Sequence, residues 1–308
     1  MALIQLRSAA VTTTARWRPE PTLVGMAEVA SEHVVGVPHP RLRPYVSDYT
    51  GYRMQGFTAG VHAGLPSRTL TLVISLDEPV DLCVMPDPDQ RPQAFVAAVG
   101  GLHASPAGIR HDGNQFGVQL GVTPLGARAL FRRPASDLAH AVVELDDVIG
   151  RPARSLPDRL AHAPDWAGRF AVLDSVLSAW LSDGADHEPA DEVTHAWSVM
   201  AARNGMVEVG SLAHDVGWSR RHLSSRFREE FGLSPKVVAR VMRFERAKGL
   251  MVGRSNPSLA DVAALAGYAD QAHLTREWKD LAGSTPHAWM RGEEFPFVQD
   301  RVVLTARS

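Results

Sequence analysis

Arg220, Arg221, Ser224 and Ser225 lie on the polar side of one short amphipathic segment. Gln271, Ala272, Thr275 and Arg276 hold the matching side of a second segment about 51 residues later. Such side chains at helical spacing suit hydrogen bonding to base edges: Arg to guanine, Gln to adenine, and an Ala or Thr methyl against the thymine methyl. Any exposed helix also carries Arg and Gln, and that plainer reading fits one copy taken alone. Duplication with the polar face left open argues against it. Within the set, Arg221, Ser225, Gln271 and Arg276 are the candidates for base contacts. Arg220, Thr275 and Lys236 are the candidates for phosphates.

The elements that must position these residues repeat as well. Ala213 and Gly217 recur as Ala263 and Gly267 at an offset of 50, whereas His222, Leu223, Phe227, Gly232 and Pro235 recur as His273, Leu274, Trp278, Gly283 and Pro286 at 51. Two copies cannot stack into a solenoid, so the repeat describes a pair of heads. Each copy has the parts of a helix-turn-helix: a short helix, a Gly able to take a left-handed conformation, and a capping Ser219 or Asp270 that opens a second helix. Leu223 with Phe227, and Leu274 with Trp278, sit four apart and share a buried face.

Residues 190–291 resemble the DNA-binding domain of the AraC/XylS family of bacterial transcription regulators. The second copy carries the strongest part of that likeness, in Ala263, Gly267, Tyr268, Asp270, Gln271, His273, Leu274, Arg276 and Trp278, closing in Gly283 and Pro286. Trp278 departs from the usual Phe but keeps an aromatic core plug. The segment from Arg243 to Met251 resembles the linker helix between the heads, spanning roughly Ser234 to Leu250. Its Gly249 is less favourable than Ala by about 1 kcal/mol, which predicts an early end or bend. The resemblance implies double-stranded DNA as partner, RNA polymerase as a second one if the chain activates, and a homodimer as one assembly.

At 308 residues the chain suits two domains, each able to bury a core. Residues 195–291 hold 14 Lys+Arg and 9 Asp+Glu, a balance of +5, so with −2 for the whole chain the rest carries −7. Positive charge gathered on one half is the footprint expected of nucleic-acid recognition. The single cysteine, Cys83, excludes an intramolecular disulfide and fits a reducing cytoplasm. No apolar run suits a signal peptide or a membrane span. Residues 1–30 read as a mobile arm and 292–308 as a tail.

Between these ends, residues 31–185 change period. Thr69–Leu76, Val80–Val84, Phe95–Ala97 and above all Gln115–Val122 alternate as strands; Pro124–Phe131 then turns helical, and an apolar stripe follows at Trp166, Phe170, Leu173, Leu177 and Trp180. The stripe either covers the strands of its own chain or faces a second chain. His39, Pro40, Leu42, Pro44, Tyr45 and Val46, with Val118, Leu120, Val122, Pro124, Gly126 and Ala127, resemble the amino-terminal domains of some AraC-type regulators. Those are small β-barrels of cupin-like character followed by helices. The expected fold class is therefore α+β in two domains: a small cupin-like β-barrel plus helices, then an all-α domain with two helix-turn-helix motifs.

Catalytic signals are sparse. His33, His39, His62, His103 and His111 lack a His-x-His pair, and there is no Gly-x-Ser-x-Gly elbow, phosphate loop or Cys/His nucleophile pair. No catalytic residue, metal or cofactor is assigned. The reading is a sequence-specific, DNA-binding transcription regulator controlled by a small effector in the barrel, between the Phe116–Val122 and Thr69–Leu76 strands. Their apolar residues favour an apolar or aromatic ligand. A ligand-independent regulator whose first domain only dimerises, a cupin-type enzyme fused to DNA-binding heads, and a nonspecific architectural protein remain as alternatives.

Overall fold

The computed structural model describes residues 29–182, 190–253 and 257–292. The expected arm falls outside the described residues except for its last two positions, and the expected tail except for its first.

Among the described residues, ten strands form two antiparallel sheets. The larger joins β1 (Ala30–Gly36), β2 (Val46–Gln55), β9 (Gln115–Val122), β4 (Leu70–Ser75), β7 (Ala97–Gly100) and β10 (Val142–Glu144), in that order across the sheet. The smaller joins β3 (Gly60–Gly64), β8 (Ala107–His111), β5 (Val80–Val84) and β6 (Gln93–Phe95). No pairing among the described strands links the two, so a pair of sheets stands where one closed barrel was expected. The run Phe95–Ala97 is likewise not one strand. Phe95 ends β6 in the small sheet, Ala97 begins β7 in the large one, and the chain changes sheets at Val96.

The alternation in β4 and β9 separates two environments. Leu70, Leu72, Ile74, Val118, Leu120 and Val122 are fully buried in one core with Leu130 and Phe131 of α1 (Pro124–Phe131) and Leu173 and Leu177 of α4 (Trp166–Ser182). Each such side chain contributes about 1.5–3 kcal/mol on burial. Val73, on the other face of β4, packs with Leu82, Phe95 and Ile109 of the small sheet. The main apolar set of β4 and β9 therefore faces the helices, while the space between the sheets is filled by a second apolar cluster that includes Val73, Leu82, Met85 and Phe95. The expectation that the inward apolar residues of these two strands line the interior is corrected to that extent.

Helix α1 starts where Thr123 accepts the Gly126 N–H at 3.0 Å, with Pro124 in the first turn, where its missing N–H costs nothing. Two short helices, α2 (Leu145–Ile149) and α3 (Leu156–Ala161), lead to α4. The aromatic stripe of α4 lies on its own sheet: Phe170 stacks on Tyr49 with centroids 5.8 Å apart, and Trp166 meets Phe116 edge-on at 5.7 Å. Gly51 makes that approach feasible, since a Cβ there would stand 2.3 Å from the Trp166 ring. Arg169, buried, lies over both the Phe116 and Trp166 rings.

The remaining helices are α5 (Asp191–Ala202), α6 (Val209–Asp215), α7 (Arg220–Phe231), α8 (Pro235–Val252), α9 (Leu259–Leu265), α10 (Gln271–Ala282) and α11 (Pro286–Gly292). Helix α8 begins at Ser234, whose hydroxyl accepts from the Val237 N–H, and runs 18 residues straight through Gly249. The predicted early end does not occur. Burial of Val241, Phe244, Ala247, Lys248 and Met251 along α8 outweighs a propensity penalty of about 1 kcal/mol. Among the described residues no helix is long and apolar enough to cross a membrane.

Candidate nucleic-acid interface

Helices α6–α7 and α9–α10 are the two heads, and their turns are built alike. Gly217 and Gly267 have φ of 72° and 78°, where a side chain is strained and Gly is not. In the first turn the Trp218 N–H returns to Ala213 O at 2.8 Å and Gly217 N–H to His214 O at 2.9 Å; in the second, Tyr268 N–H returns to Ala263 O at 2.9 Å and Gly267 N–H to Ala264 O at 3.2 Å. Both helix ends are closed by the same pair of backbone hydrogen bonds. Ser219 and Asp270 then cap α7 and α10, accepting from the N–H groups of His222 (3.2 Å) and His273 (2.6 Å). Entry into the heads differs. A reciprocal Ser258–Asp261 capping box opens α9, whereas Glu208 before α6 makes no side-chain cap bond.

Each head has an aromatic core. Phe227 and Phe231 of α7 meet edge-on at 4.9 Å, and Trp197 of α5 lies 4.4 Å from Phe231. In the second head Trp278 is fully buried between Phe244 of α8 at 4.7 Å and Trp289 of α11 at 5.3 Å. With those faces buried, the opposite faces of α7 and α10 are turned outward.

The residues singled out by spacing do not all stand equally free. Arg221, Gln271, Ala272, Arg276 and Lys236 are exposed, and none has a side-chain bond to another described residue. Ser224 and Thr275 are half-buried. The Thr275 hydroxyl donates to Gln271 O at 2.8 Å, and that of Ser225 to Glu229 at 3.0 Å. Arg220 is exposed and 3.8 Å from Glu208, a weak surface pairing.

Sequence spacing missed the group that joins α10 to α8. Glu277, mostly buried, accepts from Arg240 Nε at 3.0 Å and Arg243 Nη2 at 3.2 Å, and lies 3.5 Å from His273 Nε2. Arg240 also reaches Asp280 at 3.2 Å, and Arg243 lies over the Tyr268 ring at 5.6 Å. Burial, then the nearby Glu277 charge, push the Tyr268 hydroxyl pKa well above its ordinary value. Two arginines three apart on one helix were the only signal available.

Two further ion pairs fix the heads to the sheet half of the chain. Arg128 of α1 grips Glu230 of α7 with both Nε (2.6 Å) and Nη2 (2.5 Å). Arg68, just before β4, holds Glu245 of α8 at 2.5 Å and donates to Asn204 at 3.1 Å. Leu65, beside β3, shares the second head's core.

The histidines do not assemble a ligand set. His62 and His111 lie side by side with ring centroids 5.4 Å apart, while His103 Nδ1 is 2.6 Å from Ser105 O. Burial lowers the pKa of His62 to about 3 and that of His103 to about 4, holding both neutral near neutral pH. Among the described residues no three His, Cys, Asp or Glu side chains are placed to hold a metal ion.

The helix-turn-helix domain family matches residues 212–292, which span both heads and α8. Residues 212–292 thus match a helix-turn-helix domain. The chain is 32% identical over 90 residues to the uncharacterised HTH-type transcriptional regulator YbfI of Bacillus subtilis, covering 28% of this chain and 31% of that protein. An uncharacterised HTH-type transcriptional regulator of Staphylococcus aureus is 30% identical over 87 residues, 28% of this chain and 11% of the relative. The chain thus spans about a tenth to a third of the length of these relatives. Among solved structures, a transcriptional regulator from Chromobacterium violaceum with an AraC-type DNA-binding domain is 24% identical, covering 34% of this chain and 95% of that one with a TM-score of 0.31. An apo variant of ToxT from Vibrio cholerae is 9% identical, with a TM-score of 0.50 over 79% of this chain and 96% of that one. At that identity the likeness is one of fold.

Proposed function

We propose that this chain is a sequence-specific transcription regulator whose helices α7 and α10 enter successive major grooves on one face of a DNA duplex. The observation that carries the reading is the pair of matching heads, each with a capped helix presenting an open polar face, joined by α8. At 18 residues α8 is about 27 Å long, which suits recognition helices set near one helical turn apart, about 34 Å. Gln271 and Arg276 are the best base readers, because both are exposed and unengaged by described side chains. Arg221 serves the first head in the same way. Ser225 and Thr275 must first release their intrahelical bonds, so their contribution is smaller. Lys236, Arg220 and Ser224 border the backbone.

Substitution separates base contacts from phosphate contacts. Arg276→Ala should cost about 1–3 kcal/mol on the preferred site and relax sequence preference at one position. Lys236→Ala should weaken all duplexes alike and reduce the slope of log K against log salt by about one unit. Equal weakening of every sequence by Arg276→Ala would move that residue to the backbone.

The two facing sheets, cupin-like in character, are proposed as the effector-sensing half. Support comes from their contacts with α7, α8 and the second head's core through Arg128, Arg68 and Leu65. A molecule that prefers one arrangement of these contacts shifts the population of the heads by its differential affinity.

A further inference from the structure

The Ser225 hydroxyl is committed before any DNA arrives. Arg221, Ser225 and Glu229 stand four apart along α7 and share one stripe, opposite the buried Leu223, Phe227 and Phe231. Within that stripe the Ser225 hydroxyl donates to Glu229 Oε1 at 3.0 Å. The other carboxylate oxygen accepts from Arg226 Nη1 at 2.6 Å, and the Glu229 backbone oxygen accepts from the Ser136 hydroxyl of the sheet half at 2.7 Å. A serine hydroxyl has one proton and two acceptor lone pairs, whereas a carboxylate has only acceptors. The proton of this bond is therefore the serine's. To donate to a base, Ser225 must release Glu229; to accept from one, it releases nothing. In the major groove the groups that donate are adenine N6 and cytosine N4. We propose that Glu229 is a positioning residue for base reading: by taking the Ser225 proton it makes the first head select an amino group, on adenine or cytosine, at the Ser225 position.

The second head shows the opposite arrangement at the matching positions. Asp280 stands where Glu229 does, 51 residues on, but there Arg240 of α8 takes the carboxylate at 3.2 Å. Arg276, the counterpart of Ser225, is left exposed and unengaged by described side chains, and a guanidinium only donates. The two heads thus differ in polarity at one repeated position. The first accepts from a base and the second donates to one, so the pair reads an asymmetric site even though the turns and caps are built alike. Because Ser136 fixes the Glu229 backbone from the sheet half, the polarity of the first head is set partly from outside the heads.

The proposal rests on the DNA-reading assignment, and its test keeps the two apart. Duplexes would be selected from a random pool by the full chain and by its Ser225→Ala variant. The position whose preference the variant loses is the one that Ser225 reads. There, an analogue lacking the amino group, set in place of the adenine or cytosine of that pair, should weaken binding by the unsubstituted chain about tenfold. The same analogue should leave Ser225→Ala unmoved. A transition at that position, which puts a keto oxygen where the amino group stood, should cost the unsubstituted chain at least as much. Glu229→Ala should bring parent and transition duplexes within about twofold, because a freed hydroxyl donates to the oxygen as readily as it accepts from the amino group. Arg226→Ala breaks the ion pair but keeps the Ser225–Glu229 bond, and should preserve the tenfold discrimination. A purely structural role for Glu229 would shift both duplexes together. Loss of no position in Ser225→Ala, an analogue bound like the parent base, or undiminished discrimination in Glu229→Ala would overturn the proposal while leaving two-headed reading in place. No enriched sequence with the unsubstituted chain would overturn both.

Discussion

Trp278→Ala should destabilise the second head by about 3–5 kcal/mol, the range for truncating a buried aromatic. The indole is fully buried, with Phe244 and Trp289 against its edges at 4.7 and 5.3 Å, so little nearby can collapse into the space. Native domains hold only about 5–15 kcal/mol in total, and α10 depends on this plug to keep its polar face outward. Denaturant unfolding should show the loss, and protection of the duplex should shrink to the first head's share. Trp278→Phe provides the control. The Trp278 Nε1–H is buried without a hydrogen-bond partner among the described residues, a defect of about 1–3 kcal/mol. Phe removes that defect while leaving a smaller void, so it should stay close to wild type. A Phe variant as unstable as the Ala variant would contradict this account of the core.

The second large effect lies between the halves of the molecule. Arg128→Ala should cost about 3–5 kcal/mol, because it strands the Glu230 carboxylate, which is 7% exposed, without its cation. The double exchange Arg128→Met with Glu230→Leu should recover most of the loss, since apolar groups of similar size replace a buried ion pair at little cost. The two single variants and the double form a thermodynamic cycle, read by chemical denaturation. A loss of under about 1 kcal/mol for Arg128→Ala would mean that the pair behaves as a surface contact. In that event α1 does not hold the first head.

These two effects also mark what could be read from sequence. The heads were legible in detail because their determinants are local. Ser219 and Asp270 cap helices that begin one residue later, Gly217 and Gly267 supply the turn, and Leu223, Phe227, Leu274 and Trp278 lie four apart. The sheet half was legible only as alternation. Period-2 patterning identified β9, β5 and the whole of β4 but does not say which face meets α1 and α4 and which meets the small sheet. The apolar set was therefore assigned to the wrong side of the sheet. Arg128 and Glu230 are 102 residues apart, and Arg68 and Glu245 are 177 apart. No spacing rule joins charges at such separations. Gly249 shows the opposite failure, a local propensity overridden by burial along the rest of α8.

Among the site residues, the same divide applies. Exposure of Arg221, Gln271 and Arg276 follows from helical periodicity and agrees with the structure. The engagement of Ser225 with Glu229 and of Thr275 with Gln271 O follows from rotamer choice within a helix turn. Short hydroxyl side chains in helices commonly make such bonds.

The most direct test of the central claim is selection of bound duplexes from a random pool by the full chain at physiological salt. Two matched heads held by α8, and braced through Glu277 by Arg240 and Arg243, predict two short motifs about 10 base pairs apart, centre to centre. Arg276→Ala should blur one position of one motif and leave the spacing intact. Recovered duplexes with a single motif, with motifs at random spacing, or with no enriched sequence would contradict a pair of heads that read DNA as one rigid unit.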